Sequence, residues 1–121
     1  MRAPGERLRD ILEAIEHIER YAQLGRAAFE QNELIQNWFV RHLQIIGEAA
    51  NRLPPEVRAA APEVPWSEIV GMRHILVHDY FAIDLDVVWQ AVEVDLPQLK
   101  GQIKTLLGRL EGEAEQRCAP E

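Results

Sequence analysis

Residues 71–81 read GMRHILVHDYF and set Arg73, His74, His78, Asp79 and Tyr80 into one apolar stretch. An arginine is always charged, and its planar fork matches the oxygens of a phosphate. A histidine titrates near neutrality and can accept or donate a proton there. Spacing decides which of these groups can act together. On a helix of about 100° per residue, with Arg73 at zero, His74 lies at about 100°, His78 at about 140° and Tyr80 at about 340°. The two histidines share one face, and Arg73 and Tyr80 share another. Arg73 and His78 therefore do not meet on one small ligand from a straight helix. Either the helix bends or frays near His78, or a two-fold partner supplies the complementary surface, each residue then appearing twice.

Plainer readings stand beside these. Arg73 is equally suited to an ion pair at a helix–helix interface, with Glu48 in IIGEAA as the obvious carboxylate. His78 alone reads as a half-buried, satisfied histidine, and Tyr80 as a core-edge aromatic whose hydroxyl finds a partner. His74 and His78 also have the i, i+4 spacing of two metal ligands, which would need inward carboxylates such as Glu48 from neighbouring helices. No HExxH accompanies them, and the expectation is no metal. Arg41 and His42 would add positive potential to a cleft, and a solvated helix face explains them as well. Trp38, Trp66 and Trp89 fall at core or junction positions and read as packing.

The elements that must carry these groups are helical. Leu8, Ile11, Leu12, Ile15 and Ile18 recur at three- and four-residue spacing and predict a helix from Glu6 to about Ala22. Gly25 and the polar residues 30–32 interrupt it. A second helix is predicted from about Glu33 to Leu53, with Leu34, Trp38, Leu43, Ile46, Ala49, Ala50 and Leu53 inward. Pro54 and Pro55 end it. Residues 54–65 read as a proline-punctuated connector with one short helical turn. A third helix starts near Trp66 or Ser67, with Ser67 able to cap it, and runs through the quoted stretch. Ile75 and Leu76 fill much of its remaining circumference, so it should be wedged between partners. Residues 81–84 read as a turn, with Asp84 or Asp86 near the next N-terminus. A fourth helix runs from about Leu85 towards Leu110, and Pro97 should kink it. No strand alternation competes, so the fold class is all-α, a four- or five-helix bundle.

Composition narrows the rest. A chain of 121 residues, 47% hydrophobic and 27% charged, suits one domain with one core. We read residues 1–110 as that domain. Residues 111–121 carry Glu111, Glu113, Glu115 and Glu121 against Arg117 and are expected to form a flexible acidic tail. A net charge of −7 argues against coating nucleic acid by bulk electrostatics, though not against gripping one phosphate. No apolar run is long enough to span a membrane, and the charged N-terminus lacks the apolar core of a signal peptide. Cys118 is the single cysteine, which fits a reducing, cytoplasmic setting.

Arg73-x4-His78-x-Tyr80 resembles the R-x4-H-x-Y motif of the HepT-like toxins, in the HEPN superfamily of small helical ribonucleases. DILEAIEHIERY at 10–21, RHLQIIGEAANRLP at 41–54, PWSEIVGMRHILVHDYF at 65–81 and DLDVVWQAVEVDLPQLKGQI at 84–103 resemble that family's successive blocks, in order. The resemblance implies a HEPN-type bundle that forms a two-fold dimer and a metal-independent endoribonuclease toxin of a type VII-like pair. It assigns Arg73 to the phosphate and its transition-state charge, and His78 to general acid/base work at a dimer-interface cleft. Dependence on the 2'-hydroxyl would separate RNA from DNA. It further implies a minimal nucleotidyltransferase antitoxin that uses ATP and Mg²⁺ to place AMP on Tyr80, adding bulk and charge beside Arg73. The ribonuclease itself would need no cofactor.

The sequence departs from that family at two positions. His74 stands where asparagine or another polar residue is common, and Asp79 stands where glycine is common. His74 would help hold substrate or supply a second proton-transfer group. Asp79 would orient the ring of His78 yet repel phosphate. The rival expectation is a non-catalytic helical module that scaffolds a nucleotidyltransferase or holds a nucleotide; the acidic charge and Asp79 favour it and the Arg73/His78 pair favours the enzyme.

Overall fold

Apolar residues at three- and four-residue spacing on two long helices build most of the core. The computed structural model describes residues 3–78 and 84–118, with side chains for 3–73 and 84–112. Helix α1 (Pro4–Ala22) begins with Pro4 in its first turn, where no intrahelical N–H is required. It buries Leu8, Ile11, Ala14, Ile15 and Ile18. Helix α3 (Glu33–Asn51) is capped by Asn32, whose side chain accepts from Leu34 N at 2.9 Å and Ile35 N at 3.4 Å. It packs along α1 and buries Ile35, Phe39, Leu43, Ile46, Ala49 and Ala50.

The inward face of α3 differs from the predicted one in its first turns. Leu34 is 79% exposed, and Ile35 and Phe39 occupy the core instead. Ile35, Phe39, Leu43 and Ile46 keep one helical face, whereas Leu34 and Trp38 lie one residue off that phase. Trp38 is half-buried over α1, its indole donating to His17 O at 2.8 Å.

Between the predicted interruptions at Gly25 and residues 30–32, and reaching into the second, lies a short helix α2 (Arg26–Gln31) that the sequence reading did not predict. Its anchor is Phe29, stacked between Phe39 at 5.2 Å and Trp89 at 5.5 Å. Such pairs add about 0.5–1.5 kcal/mol each beyond the area they bury. Gly25 precedes it at φ 94°, a left-handed conformation that favours glycine. Arg26 then pairs with Glu30 and with Asp86, tying α2 to a residue 60 positions further on.

The connector holds one short helix, α4 (Pro55–Ala59). Helix α5 (Trp66–His78) starts at Trp66, whose indole donates to Arg58 O and Ala61 O, both at 3.0 Å. Ser67 is thus inside the first turn and not a cap, and the carbonyl of Pro65 accepts from Ile69 N at 3.1 Å. Helix α5 lies chiefly on α3.

Helix α6 (Leu85–Gln90) is capped by Asp84, which accepts from Asp86 N and Val87 N. The interruption expected from Pro97 is a π-helical turn, Ala91–Asp95. Leu96 N–H donates to Ala91 O, five residues back, and α7 (Leu96–Cys118) then restarts with Pro97 in its first turn. The proline ring thereby avoids the carbonyl it would meet in a continuous α-helix. Leu99, Ile103 and Leu106 of α7 close the core against α1, and Lys100 bonds Glu19 at 2.8 Å. The helix passes Leu110, Glu111 pairs with Arg9, and helical backbone continues to Cys118. No helix among the described residues is long and apolar enough to cross a membrane.

Candidate active site

Arg73 is placed by a close crossing of α3 and α5. Gly47 lies at the contact: a Cβ there would meet Ile69 O at 3.0 Å and Arg73 N and Cβ at 3.2 Å. Only a residue without a side chain admits the α5 backbone so near. The next residue, Glu48, accepts from Arg73 Nη1 at 3.0 Å through Oε2. Its other oxygen accepts from Arg52 Nε at 2.7 Å, one turn along α3. Arg52, and after it Arg73, hold the Glu48 carboxyl below its ordinary value, so it stays ionised as the arginine's anchor. Glu48 is the arginine partner that the sequence suggested.

The same two residues face a groove of about 900 Å³ between α1 and α3. Arg7, Asp10, Glu13 and His17 line it from α1, and Arg41 and His42 from α3. The helices run antiparallel, because Tyr21 meets Trp38 at 5.6 Å while His17 meets His42 at 5.0 Å. His17 and His42 therefore lie about 9 Å along α3 from Glu48, counting six residues at 1.5 Å each. A second groove, of about 600 Å³, is lined by Leu43, Met72 and Leu99, and its charged residues are all acidic: Glu63, Glu68, Asp86 and Asp95. Its charge repels phosphate, so the first groove is the better anion site.

His42 is only 6% exposed, which corrects the solvated-face reading for that residue; Arg41 is exposed. The His42 ring is fixed by Nδ1, 2.8 Å from Trp38 O, and by the Trp38 ring at 4.3 Å. Burial pushes its pKa below the usual 6.5, and the charges of His17 and Arg41 add to this; the Trp38 carbonyl and Glu13 pull the other way. Beside it, His17 Nε2 lies 3.6 Å from Glu13 Oε1. His17 Nδ1 is buried with no hydrogen-bond partner among the described residues.

A consequence for stability follows from the sign of the His42 shift. The folded state favours neutral His42, so below about pH 6.5 the unfolded chain binds more protons. His42 thus contributes stability that is present above that pH and is lost as pH falls through the folded-state pKa. Urea unfolding from pH 7.5 down to 5 should show a steeper loss in the wild type than in His42→Gln. Parallel losses would remove His42 as the cause.

Of the residues singled out from sequence, Arg73 is brought to the groove and joined to Glu48. His78 is the last residue of α5; the side chains of His74 and His78 lie outside the described set, as do Asp79 and Tyr80 altogether. The sequence reading missed His17, Glu13, Arg7 and Asp10. They occupy α1, at least 25 positions before His42 and Glu48, and no spacing rule links residues that meet only when two helices pair.

The chain matches the family model described as "Ribonuclease HepT-like" over residues 11–106. It is 38% identical over 108 residues to "Putative RNase TTE0752" of Caldanaerobacter subterraneus subsp. tengcongensis, covering 88% of this chain and 96% of that one. It is 40% identical over 102 residues to "Probable ribonuclease HepT" of Thermococcus cleftensis, covering 82% and 91%. No solved structure matches.

Proposed function

Since the chain belongs to the HepT-like ribonuclease family, we propose that it is a metal-independent endoribonuclease toxin of a type VII-like pair, acting as a homodimer. In this reading the 2'-oxygen of RNA attacks the adjacent phosphorus and the bond to the 5'-oxygen breaks. His78 takes the proton from the 2'-hydroxyl and returns one to the departing oxygen. Arg73 binds the phosphate and stabilises the charge that gathers on it. His74 and Asp79 contact substrate at its edge. A minimal nucleotidyltransferase antitoxin, using ATP and Mg²⁺, would silence the toxin by joining AMP to Tyr80, whose added phosphate competes for Arg73.

The observation that carries this reading is Arg73 held at the groove by Glu48, 3.0 Å away. Support for the dimer comes from α5. Its backbone is helical through His78, which leaves Arg73 and His78 about 140° apart around the axis. Open space adjoins Gly71 on the same helix, and α3 covers chiefly one side. A second copy against α5 would bring one protomer's arginine towards the other's histidine. One observation favours the rival scaffold: the three arginines of the groove are matched by three carboxylates, Asp10, Glu13 and Glu48.

The test is cleavage of single-stranded RNA in excess EDTA, using protein made without its neighbour and shown by intact mass to be unmodified. We expect cleavage with 2',3'-cyclic phosphate ends, and an all-deoxy strand left intact. An inert, unmodified protein would move the reading to a non-catalytic subunit that scaffolds a nucleotidyltransferase.

A further inference from the structure

We propose that the end of the groove around His17 and His42 is a nucleobase subsite, selecting a base with an exocyclic amino group next to the scissile phosphate. The assignment rests on the ribonuclease reading above, and it concerns residues outside the Arg73 to Tyr80 motif.

Three observations point to a base and away from a second phosphate. First, the place is right: His42 and Glu48 line one groove about 9 Å apart along α3, too far for one phosphate to bridge and within reach of the adjoining nucleotide. Second, the surface is aromatic and rigid. The His17 and His42 rings lie 5.0 Å apart at 39°, and Trp38 packs against both at 5.7 and 4.3 Å. His17 is the accessible ring of the three, its side chain 31% exposed, and an unstacked base of single-stranded RNA can settle on it while buried His42 and half-buried Trp38 hold it from behind.

Third, the polar atoms here are acceptors. His42 sits in a buried ring that favours the neutral form, and its Nδ1–H donates to the Trp38 carbonyl. Its Nε2 is then an acceptor. Glu13 adds a carboxylate beside His17. A phosphate meets repulsion from such a set. The amino group of adenine, cytosine or guanine can donate two N–H bonds to these two acceptors, where uracil offers only its single N3–H. Arg7 and Arg41 in the same groove balance the carboxylates and can hold the backbone of the strand.

The test uses the unmodified protein and oligonucleotides with one ribonucleotide, so that only one linkage can be cut. The base on each side of that linkage is varied in turn. Wild type should cut the best amino-bearing substrate about tenfold faster in kcat/KM than the uridine substrate, the worth of one hydrogen bond to a charged group. Both Glu13→Ala and His42→Phe should bring that ratio towards one. The Glu13 side chain is 70% exposed, so its replacement carries the test if His42→Phe folds poorly. An equal rate on all bases, or a preference that survives both variants, would overturn the subsite and leave the ribonuclease standing.

Imidazole resonances, recorded with uncleavable deoxyadenosine and thymidine oligonucleotides, give a readout independent of cleavage. Shifts of His17 and His42 with the adenine strand alone support the subsite. Those shifts in a protein that cuts no RNA would retain the base site and sink the ribonuclease reading. Equal shifts from free 5'-AMP at the same concentration would overturn the assignment to an RNA strand.

Discussion

His78→Ala should lower RNA cleavage by about 10²- to 10⁴-fold, the usual contribution of a positioned proton-transfer group. The loss should fall on kcat. His78 is the last residue of α5, and alanine is the best helix former, so the helix that carries Arg73 should persist. Binding of an uncleavable strand with a 2'-deoxy linkage should therefore change little, because the phosphate contact is proposed for Arg73. Single-turnover cleavage alongside binding of that strand separates the two terms. Equal cleavage by variant and wild type would place the chemistry elsewhere, or in a contaminant, and would remove His78 from the site.

Arg73→Lys should cost about 10²- to 10³-fold, the scale for losing one preorganised donor to developing charge. The charge is kept, so a simple electrostatic role predicts a small effect. The geometry argues otherwise. Glu48 holds the guanidinium by one terminal nitrogen at 3.0 Å, and the planar group fixes the direction of its other N–H bonds. An ammonium is a point charge on a flexible stem and offers no such fork. It would be drawn onto Glu48, whose carboxyl Arg52 already helps keep ionised. A rate within threefold of wild type would show that charge alone suffices and would demote Glu48 from a positioning residue to a bystander.

Much of this was legible in the sequence, and the exceptions have physical causes. The 3.6-residue period of Leu8, Ile11, Ile15 and Ile18 was enough to find α1 and its buried face. The same period put Leu34 inward, although one residue of phase separates it from Ile35, and the packing of Phe39 on Phe29 settles the choice. Residues 26–31 carry too few positions to show a period, so Phe29 revealed its role only through its partners. Pro97 announced an interruption, and its form, a π turn over Ala91–Asp95, is not something apolar spacing reports. Arg73 and Glu48 were legible as a possible pair by charge. The Gly47 crossing that makes the pair was not, because a glycine inside a helix carries no sign of what it faces.

The separation at Gly47 sets a mechanical tolerance. A Cβ at Gly47 would stand only 3.0 to 3.2 Å from Ile69 O and from the N and Cβ of Arg73, so α3 and α5 cross with no room there for a side chain, and no flexible group lies between them to absorb a displacement. Arg73 is on one side of the contact and its anchor Glu48 is one residue from the other. Any change that pries these helices apart by a few tenths of an ångström moves the arginine relative to its carboxylate, while Phe39, Ile46 and Ile103 can stay buried. Small losses of helix fit should then show as lost function well ahead of lost fold.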